Sequence, residues 1–182
     1  MITSRKAGSI LCIVFLLFSA LGFGQSPANG VGIGFSVNQV QNDFGLGLHL
    51  VSPYFANSKA AVRAGGNLQW FQHTEGNEIT WSPYGSMQVG IRGRQPVIDD
   101  RVFIYGEGGA LILFPGSKFS SESTRFGGYG LFGFELYTSQ RFSYFIELGG
   151  AGAGARADKL PLKPIYSNGF VATAGFRVVP GG

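Results

Sequence analysis

The stretch Arg141-Phe142-Ser143-Tyr144-Phe145-Ile146-Glu147-Leu148-Gly149-Gly150 decides how the rest of the chain is read. Phe142, Tyr144, Ile146 and Leu148 recur at every second position, and Arg141, Ser143 and Glu147 occupy the phase between them. Residues two apart share one face of an extended strand, so this run has a greasy face and a charged face. A soluble barrel turns its greasy face inward. Charges of both signs on the other face fit a barrel turned inside out, apolar towards lipid and polar within.

Seven further runs repeat the pattern. Val31, Ile33, Phe35 and Val37 alternate in 30–37, and Phe44, Leu46, Leu48 and Leu50 oppose Asp43 and His49 in 43–51. In 60–72, Val62, Ala64, Leu68 and Trp70 oppose Arg63, Asn67 and Gln69. In 78–92, Ile79, Trp81, Met87, Val89 and Ile91 oppose Thr80, Ser82, Ser86, Gln88 and Arg92. The run 102–114 is mixed, because Phe103, Leu111 and Leu113 share the phase of Glu107. Phe126, Phe132, Phe134 and Leu136 oppose Arg125, Tyr129 and Glu135 in 125–137, and Phe170, Ala172, Ala174, Phe176 and Val178 oppose Thr173 and Arg177 in 168–179. Eight runs without a helical period predict an all-β fold, an eight-stranded antiparallel up-and-down transmembrane β-barrel.

Residues 1–24 have the grammar of an export signal. Arg5 and Lys6 precede the apolar run 10–18, and Ala20, Gly22 and Gly24 lead to a cleavage point before Gln25. The apolar run is short for a spanning helix, which needs about 20 residues. The single cysteine, Cys12, lies within it and follows bulky Leu11, so it does not form a lipoprotein site. The mature chain then has no thiol chemistry, and its residues 25–182 make one barrel domain. The net charge of +4 includes Arg5 and Lys6, and the remaining basic residues are scattered, which argues against nucleic acid as a partner.

An eight-stranded lumen holds side chains and little else. Arg63, Arg92, Glu107, Arg125, Glu135, Glu147 and Arg177 are therefore expected to pair across it as a charge network rather than line an ion path. With both termini on the periplasmic side, turns alternate with outer loops. Thr138-Ser139-Gln140 then makes a periplasmic turn, while 115–124 and 151–166 make the longest outer loops, the run 149–154 losing its pairing as it leaves the sheet. Lys118, Arg156, Lys159 and Lys163 fall in those loops and suit lipopolysaccharide phosphates or another surface ligand. Trp70, Trp81, Tyr84, Phe126, Tyr144 and Phe170 lie towards strand ends, as interfacial aromatic girdles do.

Chemistry has few candidates. His49 and His73 are the only histidines, and neither has an acidic neighbour at catalytic or metal-ligand spacing. Gly128-Tyr-Gly-Leu-Phe-Gly133 spells a dinucleotide fingerprint, but within a strand run, where that motif cannot open a helix. No cofactor or metal is expected.

On these runs and the final strand 168–179, the chain resembles the small outer-membrane β-barrel proteins, the OmpX-like and OmpA-transmembrane-domain-like class. The resemblance implies outer-membrane lipid as surroundings and a non-enzymatic structural or surface-binding role. Two other readings stay open on the residues alone. One is a lipid-modifying barrel enzyme using His49, and the other is a secreted soluble β-barrel holding a small apolar ligand.

Overall fold

The computed structural model describes residues 26–75 and 78–180; the expected export signal, 1–24, lies outside the described residues. Eight strands follow one another: β1 (Gly32–Val40), β2 (Asp43–Val51), β3 (Ala60–Glu75), β4 (Glu78–Ile98), β5 (Val102–Phe114), β6 (Arg125–Ser139), β7 (Phe142–Arg156) and β8 (Ile165–Val178). Each pairs antiparallel with the next, and β8 returns to β1, so the sheet closes in sequence order. Closure leaves no strand edge around the barrel wall, which is what a sheet needs in order to sit in hydrocarbon.

The wall is strongly sheared. A path of paired residues leaves the end of β1 at Gln41 and crosses Phe170, Gly150, Gly130, Gly108, Ile91 and Val62. It arrives at Ser52, which follows Val51, the partner of Gly32 at the opposite end of β1. One circuit thus descends the whole of β1. Such stagger tilts the strands and sets a lumen just wide enough for side chains.

Alternation holds through nearly every strand, with apolar residues outside. Leu48 (60% exposed), Ile91 (65%) and Ile146 (60%) belong to a belt that also carries Val37, Met87 and Phe132. That belt far exceeds the apolar patch a water-exposed surface normally carries. The charged residues point inward, which is the reverse of a soluble barrel holding an apolar ligand.

Three details depart from the sequence reading. β7 continues through the glycine run to Arg156, with a bulge between Gly152 and Ala155, so the following loop is 157–164 rather than 151–166. Backbone pairing does not need side chains, and Gly150 and Gly152 keep their partners Phe170 and Asn168. The mixed phase of β5 has a simple cause: Phe103, Leu111 and Leu113 do face inward, Leu113 into the aromatic cluster at the loop end and Phe103 beneath the Arg94 guanidinium at the turn end. β3 and β4 also outrun their neighbours. The β2–β3 ladder ends at Phe44↔Trp70 and the β4–β5 ladder at Gly85↔Phe114, while β3 and β4 stay paired to Glu75↔Glu78 as a two-stranded ribbon.

The segments 52–59, 99–101 and 140–141 form the turn end of the barrel, where the described residues begin and end. The segment 26–30 crosses that end and is tied to all three turns. Ser26 Oγ meets Asp100 at 3.4 Å, Ala28 N–H donates to Gln140 O at 2.7 Å, and Asn29 exchanges two hydrogen bonds with the Tyr54 backbone. The opposite, loop end is formed by 41–42, the ribbon, 115–124 and 157–164.

Candidate functional site: a sealed lumen and a loop joint

Four layers fill the lumen. At the turn end the Arg94 guanidinium lies 3.4 Å over Tyr54 and 4.4 Å over Phe103. It donates from Nε to Ser58 O at 3.1 Å and from Nη1 to Tyr137 Oη at 3.2 Å. A planar guanidinium can stack and donate sideways at once, which an ammonium cannot.

Above it lies an ionic layer. Arg63 Nη1 reaches Glu147 Oε1 at 2.6 Å and Glu107 Oε2 at 3.3 Å. Arg92 meets Glu107 at 2.9 Å, Glu147 at 3.0 Å and Glu135 at 3.6 Å, and Arg177 pairs with Glu135. Tyr105 and Tyr129 donate to Glu147 and Glu107 at 2.8 and 2.9 Å, and Ser143 donates to Glu135 at 2.6 Å. Arginines and glutamates are equal in number here, so the layer is neutral. Each buried charge depends on its partners once removed from water.

His49 borders this layer. Its ring sits in a slot between Gly34 and Gly65, its partners on either side, and a Cβ at Gly34 would fall onto the imidazole. Its neighbours are Arg177, at 3.5 Å, and the edge of Phe145. Among the described residues no hydroxyl or carboxylate hydrogen-bonds to it.

The third layer is made of amides and hydroxyls. Asn38 donates to Asn67 at 3.1 Å, Gln69 to Asn38 at 3.3 Å and Asn67 to Ser86 at 3.4 Å. The cavity among them measures about 20 Å³, room for about one water.

Aromatic rings close the loop end. Phe119 comes from the 115–124 loop, is fully buried, and meets Tyr166 edge-on at 4.9 Å and Phe71 at 5.1 Å. Tyr84 joins them at 5.2 Å from Tyr166 and donates to Asp43 at 2.7 Å. Tyr84 is therefore part of this plug and not of an outer girdle. It is inward in phase, and only the lumen end offers its ring apolar company. Trp70, Phe126, Tyr144 and Phe170 do face outward, with Trp70 stacked on Phe44 at 6.0 Å; Trp81 faces outward on the ribbon.

Phe119 is held down by a joint between two loops. Asp158 accepts from Ser121 N–H at 2.7 Å and from the Ser121 hydroxyl, and lies 3.2 Å from Ser120 Oγ. These donors hold its carboxyl down at about 2. Lys159 N–H donates to Phe119 O at 3.2 Å, and Lys159 Nζ to Ser117 O at 2.7 Å. The joint places Lys118, Arg156 and Lys159 around one contact, all exposed, with Lys163 further along the 157–164 loop. The spacing of Asp158 and Ser121 in sequence carries no signal of their meeting, and neither does a phenylalanine in a polar loop.

Of the seven expected lumen charges, Arg125 lies elsewhere. Its side chain is 46% exposed and pairs with Glu122, whose carboxyl this arginine lowers. The β6–β7 ladder begins only at Gly128↔Gly152, so Arg125 stands above the closed wall and turns outward to a loop partner.

No family model matches the sequence, and no curated relative matches it. Among solved structures it is similar to the N-terminal β-barrel domain of Pseudomonas aeruginosa OprF, with a TM-score of 0.58 at 11% identity over 85% of this chain and 98% of that one. It is also similar to the outer membrane protein OprG of Pseudomonas aeruginosa, with a TM-score of 0.53 at 12% identity over 84% and 97%. The chain has the fold of the small outer-membrane β-barrels. In that fold, the outward belt is the lipid face and the four layers are the lumen.

Proposed function

We propose that this protein is an integral outer-membrane barrel, exported by its N-terminal signal, with a structural and surface-presenting role and no catalytic one. The observation that carries this reading is the pairing of a continuous apolar outside with a lumen filled from end to end. A wall of this kind anchors in lipid, and a neutral, cross-braced interior stiffens it without conducting. The buried setting of His49 gives no support to a lipid-modifying enzyme.

At the surface, Lys118, Arg156, Lys159 and Lys163 meet lipopolysaccharide phosphates by charge attraction, with the Asp158 joint fixing three of the four near one another. Such contacts are screened by salt. The test is expression of the full chain with its signal, followed by isolation of outer membranes and comparison of gel mobility with and without boiling. The expected result is an outer-membrane protein that shifts on heating. A protein recovered without detergent, and without a shift, overturns the proposal. Alanine at the four cations is expected to weaken salt-sensitive retention on immobilised lipopolysaccharide.

A further inference from the structure

A cleft of about 390 Å³ opens at the loop end between the free part of β3 and the 157–164 loop. Its volume lies within the range of small-molecule sites, roughly 300–1,000 Å³. Its two walls differ in chemistry. One is polar, with Asn42, Gln72 and His73, and the other is apolar, with Leu160, Leu162 and Ile165. Prolines 161 and 164 stiffen the apolar wall, and Leu162 at its tip is 99% exposed.

Several features give the cleft a shape of its own. β3 has no partner on β2 beyond Trp70, so its backbone from Gln72 outward borders the opening. Across it, Ala157 N–H donates to Pro164 O at 2.9 Å and Lys163 N–H to Leu160 O at 3.2 Å, which holds the opposite loop in a tight fold. The imidazole of His73 lies flat against Phe71, at 5.4 Å and 19°, with Nδ1 3.4 Å from Phe71 O.

The charge content narrows the ligand. Among the described residues, no lysine or arginine lines the cleft, so no fixed cation there favours phosphate, sulfate or carboxylate over a neutral ligand. Its acid, Asp43, accepts from the Tyr84 hydroxyl at 2.7 Å. What remains is a row of donors and acceptors facing an aliphatic wall. A pyranose has that division, with hydroxyls around its rim and C–H groups on its face. We propose that this cleft binds a neutral saccharide unit, with Gln72, His73 and Asn42 taking hydroxyls and Leu160 and Ile165 covering the apolar face. The site is distinct from the cationic joint, and the proposal rests on the loop end being the outward face of the membrane protein.

The test is saturation-transfer NMR on the full mature chain refolded in phosphocholine micelles, which carry no sugar head. Probes are maltose, lactose and diacetylchitobiose, together with core oligosaccharide stripped of acyl chains and phosphates from the expressing cell's own lipopolysaccharide. At least one probe is expected to receive saturation and to shift the His73 ring and the Ile165 methyl groups, equally at low and high salt. Gln72→Ala and Leu160→Asp are each expected to weaken binding about tenfold, the loss of 1.4 kcal/mol, with the heat-dependent gel shift intact. Saturation of the core oligosaccharide assigns the sugar to the protein's own membrane, and saturation of the disaccharides alone assigns it to foreign glycans; both uphold the proposal. It is overturned if none of these sugars binds, or if the binding seen fades with salt. Failure of the gel shift or of membrane fractionation would instead remove the membrane reading, which this binding measurement does not address.

Discussion

Arg92 and Glu107 stand directly opposite each other on β4 and β5, and Arg92 Nε lies 2.9 Å from Glu107 Oε2 with both side chains fully buried. The pair belongs to the sheet register as much as to the lumen. Shifting β4 against β5 by one residue would turn one of them to the lipid. The ionic layer thereby specifies strand alignment as well as filling space.

Glu147 takes Arg63, Arg92 and Tyr105, with the Arg63 contact at 2.6 Å. Glu147→Ala is expected to cost about 3–5 kcal/mol, because two buried arginines are left without it. Tyr105→Phe removes one hydrogen bond to a charge and is expected to cost about 1.5–3 kcal/mol. Urea unfolding in detergent, followed by the heat-dependent gel shift, checks both values and their order.

The layered filling predicts an electrically silent barrel. Phe119→Ala removes the centre of the loop-end plug and is expected to raise protease cleavage within 115–124. Single-channel recordings in planar bilayers should nonetheless stay at baseline, since the ionic layer still crosses the lumen. Conductance in this variant would mean that Phe119 alone seals the protein.

Acid should loosen the loop joint at a defined point. The carboxyl of Asp158 is held at about 2 in the folded joint, below its ordinary value near 3.9. A lowered value means the charged form is favoured by folding, so this contribution is present above about pH 4 and is lost as pH falls through about 2. Cleavage of the 115–124 loop by an acid-active protease is expected to rise over that interval. In Asp158→Asn it should be raised already at pH 5 and vary little below.

The two tryptophans report the position of the bilayer. Trp70 stacks on Phe44 at the end of the β2–β3 ladder, and Trp81 lies on the ribbon beyond the last β4–β5 pair. In single-tryptophan variants made by Trp→Phe replacement, brominated acyl chains should quench Trp70 strongly. Trp81 should instead respond to iodide in the water.

The wall was legible in the sequence because lipid and lumen demand opposite chemistry on alternate residues, as Phe142 to Leu148 show. Legibility failed where that contrast disappears. Phe103 faces inward beneath a guanidinium and Leu113 into the aromatic plug, so their phase looked wrong while their placement was right. Glycines 149–154 carry no side-chain pattern, and pairing through the backbone left no trace in composition. Arg125 had the correct phase but stands above the closed wall, and phase says nothing about height. The loop joint and the sugar-shaped cleft depend on contacts between distant segments, such as Asp158 with Ser121, that no local spacing encodes.

The seam between β1 and β8 has a consequence for biogenesis. Ile33 pairs with Val178 and Phe35 with Phe176, so the first and last strands of the barrel complete each other. Contacts this remote in sequence make closure slow. Until the last strand has been delivered, both margins of the sheet expose unsatisfied amides that hydrocarbon will not tolerate. Insertion is thus expected to wait on closure, since a chain shortened by a single strand keeps two open margins.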